Sequence, residues 1–193
     1  MSAIFTLGHS TLPIETFLQI LRDQGIQIIL DIRTVPRSRH NPQFAQENLA
    51  PALHRSEIAY EWHRNLGGLR HPRPDSINTG WRNSGFRGYA DYMQTADFAA
   101  ALDPLLHPGP DPPPRAVLCA EAMPWRCHRS LVSDALTVRD VIVEHILYDK
   151  QGRSRREPHR LTSFARVEGS HLWYPGDEPA NLFSAANPSV FIS

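Results

Sequence analysis

Residues 4 to 32 constrain the fold more than any other stretch of this chain. Ile4 to Leu7 is a short apolar run ending in Gly8-His9-Ser10, the pattern of a buried strand entering a turn. Thr11 and Pro13 suit the start of a helix, and Ile14, Phe17, Leu18 and Leu21 recur at helical spacing on one face. Gly25 is placed to end that helix. Ile26 to Ile32 then runs almost without a polar interruption and is rich in β-branched residues, as in a strand buried on both faces. A strand–helix–strand unit of this kind requires parallel strands and a right-handed crossover.

The remainder extends the same architecture. Helices are expected at about 44–53 and 89–106, the latter broken near Thr95, and from Cys127 to Leu136. Strands are expected around Ile58–Trp62, Ala116–Ala120 and Val141–Leu147. Residues 66–87 read as a long irregular segment, and loops of that length inside compact domains commonly carry function. The expected fold is a three-layer, Rossmann-like α/β domain with a mainly parallel sheet of about five strands. One domain spans residues 1–193, with a basic segment from 150 to 160 and an aromatic tail containing Trp173, Tyr174, Phe183 and Phe191. The tail is expected to pack across the domain or to pair two copies of the chain.

Composition excludes some classes. The 20 cationic and 20 acidic side chains cancel, so no global field attracts nucleic acid. All the cations but Lys150 are arginine, which suits planar recognition of phosphate or carboxylate, although a compositional bias would give the same count. No apolar run reaches the ~20 residues of a membrane span, and the first residues read as a strand, so the expected location is the cytoplasm. With only Cys119 and Cys127, neither a disulfide scaffold nor a purely thiolate zinc site is expected.

In an open parallel sheet, ligands bind beyond the carboxyl ends of the strands. Those ends here deliver Gly8-His9-Ser10, then Asp31 and Arg33 followed by Arg37 and Ser38, then Cys119 and Glu121 followed by Cys127-His128-Arg129. His9, Asp31, Glu121, Cys127 and His128 are therefore the candidates for chemistry. Ser10, Arg33, Arg37, Ser38, Arg87, Tyr89 and Arg129 are the candidates for holding substrate or phosphate. Glu121 is the first choice as acid or base. Cys127, at a helix start between Arg126 and Arg129, is the thiol favoured as thiolate, whereas Cys119 reads as core. Plainer readings stand beside these: Asp31 and Arg33, two apart on one strand face, can simply neutralise each other, and His9 can fix a turn. The Gly85-Phe86-Arg87-Gly88-Tyr89 stretch suits phosphate contact and base stacking. The phosphatase pattern of an arginine six positions after the nucleophile fails, since those positions hold Trp125 and Ser133.

At these same residues the chain resembles the family called domain of unknown function 488. The resemblance is carried by Thr6-Leu7-Gly8-His9-Ser10, Asp31-Ile32-Arg33, Pro36-Arg37-Ser38, Leu66-Gly67-Gly68 and Phe86-Arg87-Gly88-Tyr89-Ala90. It continues in Cys119-Ala120-Glu121, Cys127-His128-Arg129 and His145-Ile146. It covers most of residues 4–147 and implies one shared site, without implying an activity. The expected function is an enzyme acting on a nucleotide or nucleic acid, hydrolysing a phosphodiester or N-glycosidic bond. A divalent metal held by Asp31, Glu121 and a histidine is an option for it. The alternatives are a thiol enzyme built on Cys127 and a non-catalytic module that binds a nucleotide or phosphate.

Overall fold

The computed structural model describes residues 3–176. A six-stranded sheet forms its middle layer, built from β1 (Ile4–Gly8), β2 (Ile28–Asp31), β3 (Ala59–Trp62), β4 (Arg115–Cys119), β5 (Val143–Tyr148) and β6 (Ser154–Pro158). Their order is β3-β2-β4-β1-β5-β6, with all neighbours parallel except the antiparallel edge strand β6. Alternation along the strands divides the core between the two faces. Phe5, Leu7, Ile29, Ala116 and Leu118 pack with Phe17, Ile20 and Leu21 of α1 (Ile14–Asp23) and Leu49 and Leu53 of α2 (Gln46–Arg55). Ile4, Leu30 and Val117 pack on the other face against α3 (Ser84–Tyr92), α4 (Ala96–Leu106) and α5 (Arg129–Thr137). A three-layer α/β fold results, and among the described residues no helix is long and apolar enough to cross a membrane.

Local chemistry sets the boundaries. Gly25, at φ +65°, ends α1 in a Schellman motif: its N–H bonds to the Arg22 carbonyl and that of Ile26 to Leu21. Thr95 interrupts the expected 89–106 helix by capping α4, its hydroxyl accepting from the Phe98 N–H at 3.2 Å. The helix expected to begin at Tyr89 instead starts at Ser84, capped by Asn83, whose side chain accepts from the Phe86 N–H. Within the basic segment, residues 154–158 form β6, a strand that the exposed Arg155 and Arg156 conceal from apolar pattern reading. A two-stranded ribbon, β7 (Arg166–Glu168) and β8 (His171–Trp173), leads to Tyr174, which is wholly buried in the core. Phe183 and Phe191 lie outside the described residues.

Tyr174 and β6 are tied to the sheet by a buried polar chain. Asp134 accepts from Tyr174 Oη, Thr162 Oγ1 and His159 Nε2 at 2.7–2.8 Å. His159 Nδ1 is then the acceptor for His145 Nε2 at 2.9 Å, and His145 Nδ1 receives the Thr6 hydroxyl proton at 2.7 Å. Burial, and then the neighbouring His159, push the His145 value down to about 3, so this imidazole is neutral in the folded chain.

Neighbouring strands β1 and β4 send their connections in opposite directions. After β1 the chain crosses by α1 toward β2, and after β4 it crosses by α5 to β5 on the other face. The crevice left at their carboxyl ends is the switch point of the sheet.

Candidate functional site

That crevice holds a cavity of about 460 Å³. His9 and Ser10 line it from the end of β1, Arg33 from β2, and Cys119, Ala120 and Glu121 from β4. The 34–41 loop contributes Thr34, Arg37, Ser38 and Asn41, and His128 closes the far side with Gly68 and Leu69. Seven of the twelve residues expected from sequence therefore meet around one space: His9, Ser10, Arg33, Arg37, Ser38, Glu121 and His128. The strand register accounts for the meeting, because Gly8 stands opposite Cys119, with the His9 N–H bonded to the Cys119 carbonyl and that of Ser10 to Ala120. Ser10 takes a left-handed conformation, φ +46°, at this junction.

Asp31 and Arg33 do neutralise each other. Asp31 is fully buried, and Arg33 Nε and Nη2 bond to its two oxygens at 2.9 and 2.5 Å, with Tyr60 Oη adding a third bond at 2.8 Å. Arg33 Nη1 donates to the Phe44 carbonyl and to His9 Nε2. His9 Nδ1 must then be the protonated nitrogen, since it donates to the Ser10 carbonyl at 2.8 Å. With its ring stacked on Phe44, both nitrogens engaged and its value held at about 4 by burial and the Arg33 charge, His9 is a neutral strut. It positions Arg33, which lines the cavity. Arg37 is exposed on the rim, where Ser38 accepts from the Asn41 N–H and shapes the loop.

His9 and His145 share a consequence. Each has a folded value below the ordinary imidazole range, so the unfolded chain binds more protons than the folded one at acid pH. Their stabilisation is complete above about pH 6.5 and is lost as pH falls through the interval down to their folded values, at roughly 1 kcal/mol per pH unit for each ring. Urea midpoints measured at neutral and acid pH are expected to fall accordingly, and His9→Phe is expected to flatten the dependence.

The thiols occupy the floor. The sequence pattern favours Cys127, but the structure presents Cys119 to the cavity and sets Cys127 behind it. Both are buried, and their sulfurs lie 2.6 Å apart. His128 Nδ1 is 3.9 Å from the Cys119 sulfur and 3.8 Å from that of Cys127. Its Nε2 donates to the Ile32 carbonyl at 3.2 Å, which leaves Nδ1 as the proton acceptor facing the sulfurs. The Tyr89 ring, 4.9 Å away, and the Gly68 backbone hold the imidazole in place; a Cβ at Gly68 would reach Nδ1 at 3.0 Å. The Leu66-Gly67-Gly68 motif thus serves the site by close approach.

Arg129 completes this half. Its side chain is entirely buried and forms no salt bridge to a carboxylate among the described residues. It donates to the carbonyls of Glu121 and Ala122 while its Nε finds no hydrogen-bond partner. A buried guanidinium without a carboxylate calls for another anion, and the sulfurs are within its field. The hydrogen bond from Cys127 chiefly, with His128 and Arg129 contributing against burial, holds the Cys119 thiol well below its usual value. Burial and the same hydrogen bond push Cys127 up. Gly8 is confined here too, because an added Cβ would collide with the Glu121 carbonyl and Arg129 Nη1. Gly8→Ala is expected to cost about 3 kcal/mol or more in chemical denaturation, through overpacking.

Other expected residues lie elsewhere or play other parts. Glu121 sits exposed on the rim with no side-chain hydrogen bond among the described residues. Asp31, locked beneath Arg33, does not reach the cavity, so the option of a metal held by Asp31, Glu121 and a histidine has no common centre. Tyr89 is buried, with its hydroxyl on the Leu66 carbonyl, and Arg87 bonds to the Trp81 carbonyl away from the cavity. Sequence reading missed Thr34, Asn41 and above all Cys119, whose place in an apolar strand hides that its Cβ points to the strand-end space.

Cys119, Cys127 and His128 form the one group of three potential metal donors found among the described residues. Their ligand atoms all lie within 4.8 Å of one another.

No curated protein and no solved structure matches the chain. The family model of DUF488, a domain of unknown function, matches residues 13–136, which include the loop after β2, the Gly67-Gly68 approach, both cysteines, His128 and Arg129. The match covers well over half of the chain, which therefore belongs to the DUF488 family.

Proposed function

We propose that this protein is an enzyme acting on a nucleotide-sized phosphorylated substrate, with Cys119 as its nucleophile. The observation that carries the reading is the Cys119 sulfur at the floor of a cavity rimmed by arginine, with His128 Nδ1 turned toward it. Nucleophile, base and orienting acceptor stand in the order that covalent catalysis requires, the acceptor being the Ile32 carbonyl. Arg33 and Arg37 supply the anion-binding side, with Ser10 and Ser38 as hydroxyl donors, and a volume of about 460 Å³ suits a small ligand better than a polymer strand. The sequence-based choice of Cys127 as nucleophile passes to its neighbour, and cytoplasmic location accords with a working reduced thiol.

A second reading keeps the hydrolytic chemistry expected from sequence. Glu121 stands on the rim of the same cavity with an uncommitted carboxylate, where it can act as acid or base on a phosphodiester or N-glycosidic bond.

Alkylation separates the two. Iodoacetamide at about pH 6, followed by peptide mass spectrometry, is expected to mark Cys119 and spare Cys127 in the intact protein. A nucleoside monophosphate is expected to slow the labelling about tenfold. Arg37→Ala should lose this protection while labelling at the same rate. Failure of Cys119 to label, with turnover abolished by Glu121→Gln, would transfer the chemistry to Glu121.

A further inference from the structure

We propose that Cys127 is a resolving thiol, so that the Cys119–Cys127 pair reduces hydroperoxides through a dithiol–disulfide cycle. The inference rests on Cys119 being the reactive group and adds a partner and a second activity to it.

Access and spacing carry the argument. Cys119 lines the cavity, whereas Cys127 does not, so a small oxidant entering beside Arg33 meets Cys119 first. Cys127 lies behind it at 2.6 Å, on the turn that enters α5, and accepts the Arg129 N–H at 3.5 Å. A disulfide requires about 2.05 Å, a closure of roughly half an ångström. The two residues are eight apart in sequence, and the turn at Pro124–Arg126 already folds the intervening chain back on itself. No rearrangement of the sheet is needed to join them.

The chemistry balances in two steps. The Cys119 thiol passes its proton to His128 Nδ1, and the thiolate attacks the distal oxygen of a hydroperoxide; the S–O bond forms as the O–O bond breaks, and the alcohol leaves with that proton. Cys119 is then a sulfenic acid. The Cys127 sulfur attacks the Cys119 sulfur, the S–S bond forms, and the hydroxyl leaves as water with the Cys127 proton. The sum is dithiol plus hydroperoxide to disulfide, alcohol and water. Two molecules of a small thiol return the pair to the dithiol by exchange and are themselves joined as a disulfide.

The test uses the full chain, one equivalent of cumene hydroperoxide, and intact-mass and peptide analysis. Wild type is expected to lose the mass of two hydrogens, to join the two cysteine peptides, and to regain iodoacetamide labelling after glutathione. Cys127→Ser is expected to gain one oxygen on Cys119, and a second once a further equivalent is added, and Cys119→Ser to keep its original mass. Wild type that gains oxygen on Cys119 without joining the peptides would overturn the resolving role, even where Cys119 still labels and the nucleophile reading stands. If Cys119 neither labels nor oxidises, both readings fall. The joined peptides in wild type decide the matter should either variant fail to fold.

Discussion

Cys119→Ser is expected to lower turnover of the phosphorylated substrate on the order of a thousandfold or more, with little change in substrate affinity or in stability. The serine hydroxyl is nearly the same size but remains protonated, so the wall of the cavity is kept while its nucleophile is lost. Since Arg33 and Arg37 lie on the other strand connections, substrate is still held, and the loss falls on kcat rather than KM. His128→Ala should lose nearly as much and should also move the alkylation midpoint of Cys119 upward, because the proton acceptor 3.9 Å from the sulfur is gone. His128→Gln, which can still bond to the Ile32 carbonyl, should restore packing without restoring the midpoint. A Cys119→Ser protein with wild-type turnover on any substrate found for this cavity would remove sulfur from the mechanism and leave Glu121 as the group to pursue.

The second large effect concerns stability. Arg129→Ala is expected to cost about 3–5 kcal/mol in urea denaturation, the range for removing one member of a buried charged pair. Two partly buried carbonyls lose their donors, the guanidinium volume becomes a cavity, and the sulfurs lose the cation next to them. Arg129→Met refills much of the space and is expected to recover part of the stability but none of the shift in Cys119. That split distinguishes a counter-ion from a packing group. A loss below about 1 kcal/mol, with the alkylation profile unmoved, would mean that the guanidinium charge is not coupled to the thiols.

Much of this was readable from the chain, because the signals were local. The apolar runs of β1 and β2, the helical spacing from Ile14 to Leu21 and the left-handed Gly25 each follow from a rule spanning a few residues, and they suffice for a parallel three-layer fold. The gathering of His9, Arg33, Glu121 and His128 follows from the same rule applied to strand ends. What escaped depends on which way a side chain faces. Cys119 and Cys127 differ by one element in position, and only the register of Gly8 against Cys119 puts the former on the cavity. Arg129 and Tyr89 look like ligand-binding residues in a string of letters, yet the first is sealed under Glu121 and the second wedges His128. β6 was missed for the opposite reason: it is an edge strand whose exposed arginines carry no apolar alternation.

The site is divided along the chain in a way that bears on how it can diversify. The sulfurs, their base and their buried cation all belong to the stretch from β4 into α5, whereas the groups facing an incoming anion, Ser10 apart, stand on the loop between β2 and α2. On the thiol reading, the reacting groups and the anion-facing groups thus stand on different connections, joined by the β2–β4 pairing and the His128–Ile32 hydrogen bond. Exchanging residues 34–41 for a loop of different length or charge should redirect the ligand repertoire while the reacting half keeps its rate with a generic thiol reagent. The reverse exchange, within 119–129, disturbs the buried cation and the fold along with it.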